Sequence, residues 1–311
     1  MALPKSQLQR STEYWFDDGN IILQVESTQF RLIKSVLSMH SNVFRDMFTL
    51  PLPNDEPTVE GSPVVVLSGD TSRDWKLFLG AMYPKRLMDE LPSLELITAI
   101  LRLSKKYDCP VFRQDCIQRL KSDFPTKLSL YDESDDSWSF QEEDDMFMPI
   151  LALAKEIGLH SILPTLYCIM LTMERETYLP IVLDVEDTRF STADRLACTL
   201  GIVNLLRLQS ETTMAWLSLD AQSSSIPAKS CIQGSMCVAA VKKIILDLAE
   251  AHHPDIYVLD IWVDEWGTDL CRACRKKAKE VYKTGRKTCW NKLPGAFGLS
   301  NWDVLESLDL E

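Results

Sequence analysis

Two short apolar segments joined by a tight turn, near the start of the chain, constrain the fold more than any other sequence feature. Asp17-Asp18-Gly19-Asn20 is a cluster of turn-forming residues. The branched apolar side chains of Ile21–Val25, which follow, suit a buried strand. Glu26-Ser27-Thr28 is typical of a tight connection, and apolar and polar residues then alternate over residues 29–34. We therefore predict a β-hairpin over residues 21–34.

Helices and a further strand are predicted to follow the hairpin. Ser41 can cap a short helix and separate it from a preceding one. The apolar face of that short helix consists of Val43, Phe44, Met47 and Phe48. Val64–Leu67 suits a third strand, and two longer helices come after it. The first carries Trp75, Phe78, Leu79, Met82 and Tyr83 on one face, and the second spans residues 94–107.

The ordered set of these elements resembles the BTB (POZ) domain. The segments that carry the resemblance are DDGNIILQV, FRLIKSVL, MHSNVFRDMF and LRLSKKY, in the order of the family. The resemblance covers residues 13–122 and implies an α+β fold, a small sheet flanked by helices. It also implies a protein-interaction module that is not an enzyme, with a cullin or another BTB chain as possible partners. The partner face it implies comprises Phe44, Met47, Phe48, Trp75, Phe78 and Tyr83.

Three departures from the family narrow what the resemblance implies. Ile33 stands where the family usually has histidine. In BTB domains of transcription factors, an acid and a base line a charged pocket. Asn20 and Lys34 occupy these positions here, so the carboxylate is missing and corepressor binding is not implied. The segment before the hairpin is short, and we expect little room for the extra strand and helix that many BTB homodimers exchange. The resemblance therefore does not decide whether the protein forms a homodimer.

Residues 123–145 are predicted to form an acidic linker. Between residues 132 and 145 the chain has eight carboxylates and no basic residue, within a chain whose net charge is −12. Self-repulsion favours an extended, solvated loop. The alternative is an acidic docking segment, which Trp138 and Phe140 would anchor.

Residues 146–311 are predicted to form an all-helical domain. Apolar residues recur at helical spacing from Phe147 to Ile157, and Gly158 is well placed to end that helix. Another amphipathic helix is predicted over residues 238–249. Residues 151–159 and the following Leu163-Pro164 resemble an uncharacterised family of fungal BTB proteins. In many BTB adaptors such a helical extension selects the substrate of a cullin ubiquitin ligase, and this is our first functional hypothesis.

Cysteines give the strongest metal-like pattern. Cys271 and Cys274 have the spacing at which two thiolates bind one Zn²⁺ ion, and two further ligands are needed. Cys231 with Cys237, or His252 with His253, could supply them. A cysteine pair three residues apart in an amphipathic helix is also typical of two small buried side chains. We therefore expect no cofactor, and a structural zinc is the alternative.

A run of eight basic residues gives a second functional hypothesis, a zinc-containing, nucleic-acid-associated regulator. The run comprises Arg272, Arg275, Lys276, Lys277, Lys279, Lys283, Arg286 and Lys287. The net charge of −12 opposes contact with a phosphate backbone, so a solvated helix face, paired in part with the acidic segment, is the preferred interpretation. Nucleic acid is therefore not the expected partner.

The remaining patterns argue against an enzyme and against a membrane protein. We find neither a glycine-rich phosphate loop nor a nucleophile elbow, and we expect no catalytic residue. No apolar run reaches the roughly 18 residues that a membrane span needs. The odd count of nine cysteines over a long chain favours a reducing compartment. We therefore expect an intracellular protein, in the cytoplasm or the nucleus.

Overall fold

The computed structural model describes residues 8–51, 57–84, 91–134, 137–220, 222–250 and 256–309. The chain divides into two compact units. The first unit comprises Met1–Asp123 with Asp135–Met146, and the second comprises Phe124–Ser134 with Phe147–Glu311. Among the described residues, we find no helix whose length and apolar character would let it cross a bilayer.

The first unit contains a five-stranded sheet. Its strands are β1 (Gln9–Trp15), β2 (Ile21–Val25), β3 (Thr28–Leu32), β4 (Thr58–Val59) and β5 (Ser62–Leu67), in the order β1-β3-β2-β5-β4. Strands β2 and β3 are antiparallel, with Ile21 opposite Leu32, which confirms the predicted hairpin. Glu26 takes up the left-handed conformation (φ 51°) that the tight turn requires. Strand β5 lies parallel to β2, so β2 is covered on both edges.

Five helices pack with this sheet. They are α1 (Lys34–His40), α2 (Asn42–Met47), α3 (Ser72–Met82), α4 (Leu94–Lys106) and α5 (Pro110–Asp123). Ser41 is extended between α1 and α2, and its Oγ accepts a hydrogen bond from the backbone N–H of Phe44 at 3.0 Å. The same hydroxyl donates to the carbonyl oxygen of Tyr107 at 2.5 Å, which ties the start of α2 to the end of α4. The predicted helix break at Ser41 is therefore confirmed.

Strand β1 corrects one expectation from the sequence. We expected little room for a strand before the hairpin, yet Gln9–Trp15 pairs in parallel with β3 at an edge of the sheet. Only Ser11 and Tyr14 of this strand are buried. Because these two positions are three apart, the sequence lacks the period-two alternation by which a half-buried strand is recognised.

The second unit is helical, as predicted. Its helices are α6 (Leu128–Glu133), α7 (Phe147–Ile157), α8 (Leu163–Thr172), α9 (Arg175–Leu183), α10 (Thr192–Glu211), α11 (Gly234–Glu250), α12 (Arg272–Ala296) and α13 (Trp302–Ser307). Helix α7 ends directly before Gly158, whose φ of 78° fits a C-terminal cap. A Cβ atom at Gly285 of α12 would lie 2.6 Å from the backbone of Thr212 and Thr213, so this contact requires glycine.

The acidic segment departs from the extended loop that we expected. Its first residues belong to α6, and residues 137–146 pack within the first unit. Phe140 is buried and stacks with Trp138, with ring centroids 5.9 Å apart. The Ser139 hydroxyl donates to Asp123 at 2.6 Å, and the backbone N–H of Gln141 donates to the Pro92 carbonyl at 2.9 Å. The solvated-loop prediction is therefore wrong here, because aromatic burial outweighs the repulsion of the carboxylates.

Candidate interaction surface and cysteine cluster

Three of the six residues predicted to face a partner are buried in the core of the first unit. Phe44, Trp75 and Phe78 have exposed fractions of 1%, 0% and 0%. Their rings form one aromatic cluster, in which Trp75 lies 6.0 Å from both Phe44 and Phe78. A side chain without exposed surface cannot contact a partner unless the domain opens. The prediction is therefore wrong for these three residues, which are core.

A buried carboxylate fixes the position of this aromatic cluster. The side chain of Asp70 is 3% exposed and accepts hydrogen bonds from Trp75 Nε1 at 3.1 Å and from the Tyr107 hydroxyl. The Lys106 ammonium lies 2.5 Å from the same carboxylate. Burial, and then the bond to Asp70, raises the pKa of Tyr107 well above its usual range. Asp70 therefore joins α3 to the end of α4.

The other three predicted residues are half-buried. The Phe48 ring lies beneath the Lys34 ammonium, 5.4 Å away, and the Tyr83 ring lies 4.9 Å from that of Phe16. Met47 is also half-buried. The side chain of Asn20 accepts a hydrogen bond from the backbone N–H of Lys34 at 2.8 Å, so these two residues bind each other at the start of α1. Partner binding by Met47, Phe48 and Tyr83 stays a prediction.

Three exposed apolar side chains lie on α1, α2 and α5. Met39, Val43 and Val111 are 71%, 41% and 73% exposed. Asn42 joins the start of α2 to the residues before α5, because its side chain and its backbone N–H both donate to Asp108, at 2.6 and 3.0 Å. We call Met39, Val43 and Val111 the α1–α2–α5 surface. The sequence predicts Val43 on the apolar face of α2 together with Phe44. Met39 and Val111 carry no separate signal, because spacing does not distinguish exposed apolar residues from buried ones.

Comparison with known proteins identifies the first unit. A family model described as the BTB/POZ domain matches residues 9–123. Residues 9–123 are a BTB/POZ domain. A curated relative, the BTB and MATH domain-containing protein 45 of Caenorhabditis elegans, is 26% identical over 118 residues. That match covers 38% of this chain and spans 23% of the length of the relative.

The BTB/POZ match confirms the α+β prediction for this region, and a helical region follows it in the chain. BTB/POZ domains are in general protein-interaction modules that carry no catalytic activity. The match begins at the first residue of β1, four residues before our predicted boundary, and it ends at the last residue of α5. The likeness of residues 151–164 to fungal BTB proteins stays a prediction.

The second unit gathers four cysteines at one place. The Sγ atoms of Cys231, Cys237, Cys271 and Cys274 all lie within 4.8 Å of one another. The Cys231 sulfur is 3.8 Å from that of Cys237 and 3.7 Å from that of Cys271. Of the two pairs considered as additional ligands, the structure thus brings Cys231 and Cys237 to the Cys271/Cys274 pair. His252 and His253 lie outside the described residues.

Two helix starts and several N–H groups surround these sulfurs. Cys271 immediately precedes α12 and Cys274 lies in its first turn, while Cys237 lies in the first turn of α11. The backbone N–H of Cys274 has the largest effect on the Cys271 thiol and lowers its pKa to about 7. Burial raises the pKa of Cys198, elsewhere in the second unit, to about 12. Within the cluster, the pKa of Cys271 is therefore lowered, whereas burial raises the pKa of Cys237 and of Cys274.

The basic run lies along α12, and several of its members already have partners. Arg286 Nη2 lies 2.6 Å from Asp132, a member of the acidic segment. Lys279 pairs with Asp264 at 2.6 Å, and Arg275 Nε donates to a backbone carbonyl at 2.7 Å. These contacts agree with the helix-face interpretation and reduce the positive charge that the run offers to a phosphate backbone.

Proposed function

We propose that this protein is an intracellular, non-enzymatic scaffold that acts as a substrate adaptor for a cullin ubiquitin ligase. The BTB/POZ domain, a protein-interaction module often found in cullin adaptors, supports the first part of this proposal. The helical second unit would select the substrate. We propose a cullin as the partner because BTB domains are often found in cullin adaptors. The position of the contact is proposed from the exposed residues of this chain.

The observation that carries the proposal is the exposed α1–α2–α5 surface. Apolar side chains gain free energy when a partner removes them from water, by about 25 cal/mol per Å² of apolar area. Met39 and Val111 are more than two-thirds exposed, although neighbouring aromatic residues such as Phe44 are fully packed. The His40 ring lies 5.1 Å from the Phe112 ring, so Met39 and Val111, the residues that precede them, lie on neighbouring helices. Exposed apolar side chains on neighbouring helices are typical of a docking site.

Val111→Asp tests this assignment in the full-length protein. Val111 is the second residue of α5, where a carboxylate is favourable to the helix, so the variant should fold. We expect binding to a purified cullin, measured by calorimetry, to weaken at least about tenfold. The matched control is Val66→Asp, because Val66 is a 63% exposed valine on β5 of the same unit. Equal cullin binding by both variants, or none by the wild type, would overturn the proposal.

A second copy of the BTB chain is the competing occupant of this surface. Light scattering on the wild type and on Val111→Asp distinguishes the two cases. If the wild type is a dimer and the variant a monomer, the surface mediates self-association, and the cullin assignment fails. If the oligomeric state is the same for both, self-association does not use Val111.

The alternative, a nucleic-acid-associated regulator, has less support from the contacts of α12. Arg286 and Lys279 are engaged by carboxylates, and the chain as a whole has a net charge of −12. This function predicts DNA binding that weakens steeply with salt, which a fluorescence-anisotropy titration at two salt concentrations would detect. We expect no such binding.

A further inference from the structure

We propose that Cys231, Cys237, Cys271 and Cys274 hold one structural Zn²⁺ ion in the second unit. A tetrahedral ion with four Zn–S bonds of about 2.3 Å places its sulfur atoms about 3.8 Å apart. The two measured separations, 3.7 and 3.8 Å, match this edge length, and all four sulfurs lie within 4.8 Å of one another. Two of the six sulfur–sulfur separations thus have the length that a tetrahedral zinc site requires, and none of the six exceeds 4.8 Å.

A pair of disulfides is the obvious competing arrangement. Bonded sulfurs lie about 2.05 Å apart. The four cysteines are free thiols, and Cys231 is nearly equidistant from Cys237 and Cys271. Because the Cys231 sulfur is about equally far from two other sulfurs, the arrangement favours one metal ion bound by all four cysteines over a disulfide between two of them.

Backbone N–H groups point at these sulfurs as they do at metal-bound thiolates. The N–H of Ala228 donates to Cys274 Sγ at 3.3 Å, and the N–H of Cys271 donates to Cys237 Sγ at 3.4 Å. Donation to sulfur stabilises the thiolate, which is the form that binds a metal. Positive ends of two helices, α11 and α12, act in the same direction.

The four sulfur ligands indicate which metal would bind and what function it would have. Four sulfurs in a tetrahedron suit zinc or iron, whereas magnesium and calcium need oxygen ligands. Four protein ligands fill the coordination shell and leave no position for a substrate, so the site is structural. Cys237 and Cys274 belong to the same buried cluster as Trp216 and Tyr282, so the ion would join the core of the second unit.

Binding is an exchange of protons for the ion and involves no change of oxidation state. Each ligand that is still a thiol loses its S–H proton to the buffer and forms one S–Zn bond. The result is a cross-link between the loop that contains Cys231, the start of α11 and the start of α12. In sequence, these ligands span more than forty residues.

The test is the metal content of the full-length protein, purified under reducing conditions without a polyhistidine tag or a chelator. We expect mass spectrometry of the metals to find about one zinc per chain. Cys274→Ser and Cys231→Ser should reduce zinc to below about a tenth of that value. Cys198→Ala, which removes a buried thiol elsewhere in the second unit, is the matched control and should retain the metal.

Cobalt substitution keeps the test informative if the serine variants do not fold. Exchange of Co²⁺ into the wild type should produce the visible absorption of a tetrahedral ion with thiolate ligands, and added zinc should abolish it. Folded wild-type protein without zinc would overturn the proposal, as would disulfides among the four cysteines in a mass-spectrometric peptide map. Stoichiometric iron in place of zinc would also overturn it.

Discussion

The two units of this protein differ in how often a side chain caps the start of a helix. In the first unit, α2, α3 and α4 each start with a side-chain cap, from Ser41, Thr71 and Ser93. In the second unit, Ser191 and Asn301 cap α10 and α13, but no side-chain cap bond is present at the start of α6, α8, α9 or α12. Contacts between distant parts of the chain fasten these helices, such as the bond from Trp290 Nε1 to the Thr126 carbonyl. Side-chain caps are therefore the more frequent start signal in the first unit, whereas several helices of the second unit depend on long-range contacts.

The largest effect is expected in the aromatic core of the BTB/POZ domain. Trp75→Ala removes a fully buried indole and leaves Asp70 without one of its donors, so it should cost about 3–5 kcal/mol of unfolding free energy. Urea unfolding followed by circular dichroism measures this loss. Leu50→Ala, at a 66% exposed position, is the control and should change stability by less than about 0.5 kcal/mol. Equal effects of the two changes would refute the assignment of Trp75 to the core.

The contact of Gly285, in α12, with the backbone of residues 212–213 can be tested by adding a larger side chain there. Gly285→Ala places a Cβ atom 2.6 Å from the backbone of Thr212 and Thr213, and backbone cannot move aside as a side chain can. We expect a loss of about 1–3 kcal/mol. Gly295→Ala is the matched control in the same helix, because its Cβ atom would meet nothing within 4 Å. If thermal unfolding shows no difference between the two variants, α12 does not pack on residues 212–213 as described.

A buried carboxylate in the second unit should make its stability depend on pH. Burial raises the pKa of Asp194, but hydrogen bonds from Lys155, Ser191 and Tyr167 outweigh burial and lower it below its unfolded value of 3.8. Because the folded pKa is the lower one, the stabilisation is complete well above pH 3.8 and is lost as the pH falls through the folded pKa.

Asp194→Asn should therefore cost about 2 kcal/mol near pH 6, and the difference from the wild type should shrink toward pH 3. Urea unfolding of both proteins at several pH values measures the difference. Ser191→Ala removes one donor to Asp194 and also the cap at the start of α10, so part of its loss at pH 6 should persist toward pH 3. A difference that does not vary with pH would contradict the role of the ionised carboxylate.

The smallest effect compares two caps of the first unit. Ser41 both caps α2 and donates to the Tyr107 carbonyl, whereas Ser93 caps α4 by one bond from the Leu96 N–H. Ser93→Ala should cost about 1 kcal/mol, and Ser41→Ala should cost about 1 kcal/mol more because it also leaves a buried carbonyl unpaired. Equal losses in thermal unfolding would show that the bond from Ser41 to Tyr107 contributes nothing.

Sequence reasoning succeeded where the signal is local. The hairpin follows from the alternation after Glu26, the break between α1 and α2 from a capping serine, and the end of α7 from Gly158. It failed for β1, whose two buried residues are three apart. It also failed for the acidic segment, where charge suggested a solvated loop although Phe140 is an anchor.

The candidate sites illustrate the same limit. Phe44 and Phe78 were predicted at a partner surface, but aromatic residues are common both in cores and in interfaces, and spacing does not separate the two. The Cys271/Cys274 pattern identified half of the cysteine cluster, and the sequence left either Cys231 with Cys237 or His252 with His253 as the source of the other ligands. Cys231 and Cys237 have no short spacing to it, and only the folding of α11 against α12 brings them there.

Hydrogen exchange on the full-length protein, with and without a zinc chelator, tests most directly whether the two units are held by different means. We predict that chelation speeds amide exchange at least about tenfold in α11 and in the first turns of α12, while β2 and β5 stay protected. No change in α11 and α12, or an equal rise in exchange in β2 and β5, would contradict the account.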